Sequence, residues 1–402
     1  MVKPFRLSRI PRILFRIGAI SELPAIAEGY GRSIALVTGV RSFTASDRAA
    51  RLNEQLISRG VTIHNVTVAG EPSPALIDEA VGRLKREGIS LVVSIGGGSV
   101  MDAGKAISAM LTTDGSVAEY LEVVGSREHS GNKVPFIAVP TTAGTGSEAT
   151  KNAVISRVGK EGFKRSLRHD NFVPELALAD PELTLDCPQE ITAAAGMDCF
   201  TQLTEAYLSD KASPSTDALA IDGLKAVNRS LLRSYTDGDN IKARSDMSYA
   251  ALMSGICLAN AGLGAVHGLA GTIGALHSIP HGAVCGTLMA PANEVNVREL
   301  RRLNESGHVQ GNNSASGTSA ALAKYAILGR LFADATGKND SYYTDFFIDY
   351  LNAMTHRLGL PGLARYGLRT EDIPEIVYHS DCKNNPVPLS KEHMTEILLK
   401  RI

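Results

Sequence analysis

Cysteine is scarce and unpatterned in this chain. The five present, Cys187, Cys199, Cys257, Cys285 and Cys382, are odd in number and form no CxxC pair. That speaks against a disulfide framework and against a cysteine metal site, and it fits a reducing cytoplasm. Net charge is nearly absent too: 41 Lys and Arg face 42 Asp and Glu, leaving −1. No electrostatic footprint for nucleic acid or an anionic membrane results, so a phosphate-bearing ligand has to be held locally, by backbone amides and a few cations. The basic N-terminal stretch MVKPFRLSRIPRILFRIGAI has its apolar residues interrupted by Arg12 and Arg16, so no signal-peptide core forms.

One uncharged run stands out. Residues 250–276 carry no formal charge and exceed the roughly 20 residues that a membrane span requires. They also hold six glycines, Asn260 and His267, with Gly264 and Gly268 in GxxxG spacing. Small residues of this kind suit closely packed helices, and the run is read as a buried pair of core helices rather than a span.

What is present is a chain of 402 residues, 44% hydrophobic and 21% charged, which is long enough for two domains. SIALVTG reads as a strand, residues 46–60 as a helix, VTIHNVTV as a second strand and SPALIDEAVGRLKREG as a second helix. SLVVSIGGGS is a third strand running into a glycine turn, VMDAGKAISAML opens a third helix, and PFIAVPTTAGTGSE is a further strand with a small-residue loop. This alternation implies parallel βαβ units with ligands at the carboxyl ends of the strands. Beyond Leu183 the patterns are helical. The expectation is an α/β dinucleotide-binding domain over 1–181 and an all-α metal and substrate domain over 182–402. Residues 305–321, polar and rich in glycine and serine, read as a surface loop.

Gly96, Gly97, Gly98 and Ser99 follow a strand and open a helix, which aims backbone N–H groups and a helix N-terminus at an anion such as a pyrophosphate. A tight strand-to-helix turn is the ordinary alternative. A phosphate-binding P-loop is excluded, because Gly104-Lys105 is followed by Ala106 and position 99 is not glycine. Gly144, Gly146 and Ala149 match the G-x-G-x-x-A form of a dinucleotide fingerprint, but after a late strand. Thr141, Thr142 and Thr145 offer hydroxyls for ribose or phosphate, or for helix capping. At the end of the first strand stand Gly39 and Arg41 with no acid; an arginine there suits the 2′-phosphate of NADP, or is simply solvated.

Asp198 and Gln202 are four apart, on one face of a helix in apolar surroundings. A buried aspartate is costly unless paired or metal-bound. With His267 and His281 it could form a divalent metal site that polarises a carbonyl or alkoxide oxygen; a satisfied core histidine and a capping histidine are the plain alternative.

GGGSVMDAGK, PTTAGTGSEAT, ADPELT, AAGMDCFTQLTEAYLS and HGLAGTIGALHSIPHG together resemble the iron-containing (group III) alcohol dehydrogenase family, in order, from about residue 10 to NNPVPLS near the C-terminus. The resemblance implies a dehydroquinate synthase-like fold with the active site in a cleft between two domains. It assigns Gly96, Gly97, Gly98 and Ser99 to the pyrophosphate, with Asp102 opening the helix behind them. Thr141 and Thr142 lie along the cofactor, and Lys164 approaches it. It implies one iron or zinc bound by an aspartate and three histidines, with Asp198, His267 and His281 in three positions and Gln202 in the fourth. Gly271 stands where a further histidine is common, and His277 is the group left for proton transfer. The implied function is a cytoplasmic, homodimeric NAD- or NADP-dependent alcohol dehydrogenase or aldehyde reductase; Asp198, His267 and His277, the last at a position where the family does not usually have histidine, are taken as its catalytic residues, and Phe200, Met253 and Phe163 as unranked candidates for the substrate cleft. It would act on small alcohols or aldehydes, with no nucleic acid or membrane partner. Maleylacetate reductase and dehydroquinate synthase chemistry are compatible with the same fold, and so is a non-catalytic NADP-binding protein that has lost its metal.

Overall fold

The computed structural model describes residues 4–40, 43–306 and 315–402. Arg41 and residues 307–314 of the polar 305–321 stretch lie outside them, and the two ends of that stretch, read as loop from the sequence, are helical: residues 305–306 close one helix and 315–321 open the next. The N-terminal half is a six-stranded sheet, entirely parallel: β1 (Arg12–Phe15), β2 (Ser33–Gly39), β3 (Thr62–Val68), β4 (Leu91–Gly96), β5 (Phe136–Pro140) and β8 (Leu176–Ala179), in the order β1-β8-β5-β4-β2-β3. Four helices serve it: α1 (Leu23–Glu28), α2 (Asp47–Ser58), α3 (Pro74–Leu84) and α4 (Gly98–Met110). Alternation along β2 explains the two-faced core. Ala35 and Val37 point to one side, where they meet Ile77 and Ile107; Ile34 and Leu36 point to the other, among Leu52 and Leu56. Ser46 and Ser73 start α2 and α3, their hydroxyls accepting from Ala49 N and Leu76 N.

The remaining strands, β6 (Asn152–Arg157) and β7 (Phe163–Arg168), form an antiparallel hairpin that the sequence did not suggest. Charged FKRSLR lacks a clean apolar alternation. The strand β1 was also missed, because it is four residues long and one of them is Arg12; pairing with β8 defines it.

From Gln189 onward every regular element among the described residues is helical: α5 (Gln189–Leu208), α6 (Pro214–Thr236), α7 (Ile241–Ala261), α8 (Ala265–Leu276), α9 (His281–Ser306), α10 (Ala315–Phe332), α11 (Asp340–Arg357), α12 (Ile373–His379) and α13 (Lys391–Leu399), with short 3₁₀ turns between some of them. The central helix α5 is buried almost all round from Gly196 to Leu208, as expected of a helix without a polar face. Phe200 belongs to this interior, its ring 5.2 Å from that of Phe332, so it does not line a substrate pocket. The uncharged 250–276 run is divided between α7 and α8, which meet at 98°. No single helix among the described residues is long and apolar enough to cross a membrane.

The loop after β5 meets the helical half at Gly146, whose Cβ would lie 2.4 Å from Gly255 N, and is anchored to the sheet half by the helix α4. Lys105 of α4, fully buried, donates to Ser147 O (2.9 Å), Ser147 Oγ (3.2 Å), Thr150 Oγ1 (3.0 Å) and Asn152 O (2.8 Å). Asp102, three residues earlier, accepts from Ser147 Oγ at 2.6 Å and Val154 N at 3.1 Å. The lysine that failed as a phosphate binder is thus a clamp on the Thr145–Asn152 segment.

Glu148 sits in the same segment at 2% exposure, and burial pushes its carboxyl up to about 7 from an ordinary 4.5. Between those values the folded state keeps a proton that the unfolded chain has released, so this group costs stability as pH rises through the window. Glu148→Gln is therefore expected to match wild type in stability near pH 4.5 and to exceed it above pH 7, by an amount on the order of 3 kcal/mol. Urea unfolding at both pH values checks this, and an equal effect at both would refute it.

Candidate active site

The order of the strands fixes where a ligand belongs. The chain leaves β2 toward β3 on one side and returns to β4 on the other, so the loops after β2 and β4 part at a topological switch point. A cleft of about 230 Å³ opens there, lined from the sheet side by Phe43, Ser46, Gly97, Thr141 and Thr142 and from the domain junction by Leu183, among others. The helix α4 starts at Gly98 with Gly97 as its N-cap and no side chain capping it, which leaves its first amides free for an anion. A Cβ on Gly97 would meet only Thr142, at 3.4 Å, so the protein has room for one and a phosphate would not. Gly98 is glycine for a different reason: its Cβ would lie 2.6 Å from Thr145 Cγ2.

Of the other expected cofactor residues, Gly39 ends β2, Ser99 is half-buried in the first turn of α4, and Thr141 is pinned by its amide to Gly96 O at 2.9 Å. Both oxygens of Asp102 are occupied within the protein, as above, which makes it a brace for the loop rather than a surface facing the cleft. Lys164 rides on the hairpin: Gly162 and Gly159 dock on the end of α8, and Gly274 of α8 would place a Cβ 3.1 Å from Lys164 Cδ. Its ammonium meets Glu71 Oε2 at 2.8 Å.

In the helical half, three helices bring together Asp198 (α5), His267 (α8), and His281 and Cys285 (α9); their donor atoms all lie within 4.8 Å of one another. Asp198 Oδ1 is 3.2 Å from His267 Nε2 and 3.9 Å from His281 Nε2. The two imidazole rings stand edge to face, 5.4 Å apart. Cys285 Sγ is 3.6 Å from each imidazole Nε2. Burial works against ionisation of Asp198, but the hydrogen bond from His267 and the nearby imidazoles overcome it and hold the carboxyl at about 2. His267 is raised well above its ordinary value despite its burial, through its acidic neighbours, whereas burial and then the Lys164 charge hold His281 down to about 4. A carboxylate, two imidazoles and a thiol converging in a buried pocket fit a divalent cation.

The orientation of His267 comes from a residue that the motif reading passed over. Glu205, seven positions after Asp198 and therefore on the same face of α5, receives His267 Nδ1 at 2.6 Å on one oxygen and Val266 N at 2.8 Å on the other. It caps α8 and turns Nε2 toward the pocket, the task of a partner behind a metal ligand. Gln202 is beside the cluster, but its amide oxygen accepts from Ser254 Oγ at 3.2 Å and its NH₂ serves Asp198. Gly271 faces open space. His277 stands apart from the cluster, at the C-terminal end of α8, with Nε2 3.7 Å from Asp372. The one cysteine of the cluster was set aside in the sequence because it has no CxxC partner; its only signal was the i, i+4 spacing from His281. All five cysteines are free.

A family model described as iron-containing alcohol dehydrogenase matches residues 11–181, and a second, for the C-terminal part of the same family, matches 192–402. The chain belongs to the iron-containing alcohol dehydrogenase family. Alcohol dehydrogenase 4 of Saccharomyces cerevisiae (strain YJM789) is 31% identical over 399 residues, with 97% of this chain and 96% of the relative covered. The NAD-dependent methanol dehydrogenase of Bacillus methanolicus is 30% identical over 362 residues, 89% of this chain and 88% of its own. The crystal structure of a 1,3-propanediol oxidoreductase is similar along all of both chains, with a TM-score of 0.87 at 25% identity. This alcohol dehydrogenase is thus an oxidoreductase acting on CH–OH groups. Its polar machinery is divided: the glycine turn and threonines on the sheet side, the acid–imidazole–thiol cluster on the helical side.

Proposed function

We propose that this alcohol dehydrogenase interconverts small primary alcohols and aldehydes with a nicotinamide dinucleotide held across the switch-point cleft, assisted by a divalent ion bound by Asp198, His267 and His281. The observation that carries the reading is the donor cluster on α5, α8 and α9, which the loop after β5 approaches through Ser254, whose hydroxyl lies 3.2 Å from Gln202 Oε1 and 3.4 Å from Gly144 O. The backbone amides of Gly97, Gly98 and Ser99 receive the pyrophosphate. Thr141, Thr142 and Thr145 border its path, Gly39 leaves the first βα turn open, and Lys164 is kept near the cleft by Glu71. Arg41, two residues after Gly39 in the sequence and outside the described residues, gives the lean to NADP over NAD. A cation in the cluster would supply a Lewis acid for the substrate oxygen, and the dinucleotide would supply or take the hydride. His267 has both ring nitrogens committed and so does not shuttle protons. His277, one turn beyond Gly274 and partly exposed, is the group we assign to relay a proton between the cleft and solvent. Among the described cations, Arg48 lines the cleft and pairs with Asp186, and Lys164 pairs with Glu71, which favours an uncharged substrate over the diacid of a maleylacetate-type reductase.

We place the domain boundary between 181 and 182, and the chain as a cytoplasmic homodimer. Support for the dimer is the exposed apolar face around the edge strand β1, with Phe5, Leu7, Ile10, Ile13 and Ile17 uncovered.

Aldehyde-dependent oxidation of NADH and NADPH by protein carrying zinc or iron is the direct test; dinucleotide binding without turnover of any short aldehyde would sink the reading. Gly97→Ala isolates the cofactor half of it. The unliganded protein has space for the methyl group, so its melting temperature should not change, while the dissociation constant for the dinucleotide should rise about 10-fold or more as amide–phosphate bonds are lost. Unchanged binding would move the pyrophosphate elsewhere.

A further inference from the structure

We propose that Cys285, and not Gln202, supplies the fourth donor of the metal centre, and that its sulfur turns the centre toward zinc; the inference rests on the metal-assisted reading given above. Gln202 is already engaged on both ends of its amide, with Ser254 on the oxygen and Asp198 on the nitrogen, and presenting that oxygen to a cation would break both contacts. It positions the carboxylate. Cys285 has the opposite character. Cys257 and Cys382 donate to backbone carbonyl oxygens in the ordinary way, whereas the sulfur of Cys285 faces the two imidazole nitrogens. It lies four residues after His281 on α9, so both side chains project from one face, and it is completely buried.

The spacing fits a particular coordination. Tetrahedral zinc, with bonds of about 2.05 Å to nitrogen and 2.3 Å to sulfur, separates the two donors by about 3.6 Å. Cys285 Sγ is 3.6 Å from His267 Nε2 and 3.6 Å from His281 Nε2. A carboxylate oxygen and an imidazole nitrogen around the same ion are about 3.3 Å apart; Asp198 Oδ1 is 3.2 Å from His267 Nε2 and 3.9 Å from His281 Nε2, so the His281 ring has to close by several tenths of an ångström when the ion binds. On binding, one zinc–sulfur bond forms and the thiol S–H bond breaks, with its proton passing to solvent; no electrons change hands. The set of two nitrogens, one oxygen and one thiolate favours zinc over iron(II), because soft sulfur discriminates between them where imidazole and carboxylate do not.

Cobalt(II) reports the donor directly. Metal-stripped full-length protein titrated with cobalt should develop an intense near-ultraviolet sulfur-to-cobalt band along with the visible bands of a tetrahedral ion. Cys285→Ser should lose the near-ultraviolet band, and Gln202→Ala should keep it. The zinc dissociation constant, read by competition with a chromophoric chelator, should rise more than about 100-fold in Cys285→Ser, beyond the loss usual for a partner behind a ligand. Unchanged circular dichroism and dinucleotide binding establish that the serine variant is folded. Offered equal zinc and iron(II) without oxygen, the wild type should retain zinc; retention of iron would overturn the selectivity. A cobalt spectrum with no sulfur band, yet abolished by Asp198→Ala, would overturn the role of Cys285 and leave the metal site standing. A dinucleotide-binding protein that takes up no cobalt, zinc or iron would remove the metal site itself, and this inference with it.

Discussion

Asp198→Ala should lower kcat/KM for aldehyde reduction by at least about three orders of magnitude, while the affinity for dinucleotide stays within about twofold. The asymmetry follows from where the residue sits. Asp198 is the anionic oxygen donor of the cluster, and no described dinucleotide-facing group touches it. Its loss leaves two imidazoles and a thiol, a set with weaker hold on a cation, and removes the acceptor that faces His267 Nε2 at 3.2 Å. Metal content by mass spectrometry should fall to background in parallel with activity. Asp198→Asn keeps the shape but not the charge, so it separates the electrostatic role from packing and should be nearly as inactive. Full metal occupancy in the alanine variant would refute the assignment.

Gly146→Val should destabilise the protein by on the order of 3–5 kcal/mol and cripple dinucleotide binding as well. Gly146 has φ +61°, a conformation costly for a β-branched residue, and a Cβ there would sit 2.4 Å from Gly255 N and 2.5 Å from Ala251 O. Those are backbone atoms of α7, so no side chain can swing away to relieve the contact. The loop has to lift from the helical domain, and it carries Thr141, Thr142 and Thr145 with it. Gly255→Ala attacks the junction from the other side, since its Cβ would meet Gly146 O at 2.1 Å. Thermal melting and dinucleotide titration of the two variants should show the same paired loss; binding preserved at reduced stability would mean the loop does not border the cofactor.

The strand-and-helix rhythm from Ser33 to Pro140 was legible because buried parallel strands are short apolar runs bounded by turn residues, and β2 matches SIALVTG residue for residue. The convergence of Asp198, His267 and His281 was legible through the resemblance alone; nothing in their spacing could place α5, α8 and α9 around one point. Glu205 and Cys285 escaped notice for related reasons. A glutamate in a helix usually faces water and an isolated cysteine usually fills space, and only tertiary packing reveals that each points into the same pocket. The Lys105 clamp is a further case: its four oxygen partners come from a loop some forty residues later, with no local trace of the pairing. Hairpins such as β6–β7, with charge on both strands, give no periodicity to read.

The four cluster donors all hang from helices of the C-terminal half, and the amides that would meet pyrophosphate all belong to the N-terminal half. On the proposed reading, the cation and the hydride carrier would therefore be held by different elements. Exchanging a donor on α5 or α9 alters the acidity felt by a bound hydroxyl without moving the nucleotide, and reshaping the turn after β2 changes the choice of nucleotide without disturbing the ion. A fold divided in this way lets metal chemistry and coenzyme preference evolve as two independent dials, and the glutamine at 202 is a setting of only one of them.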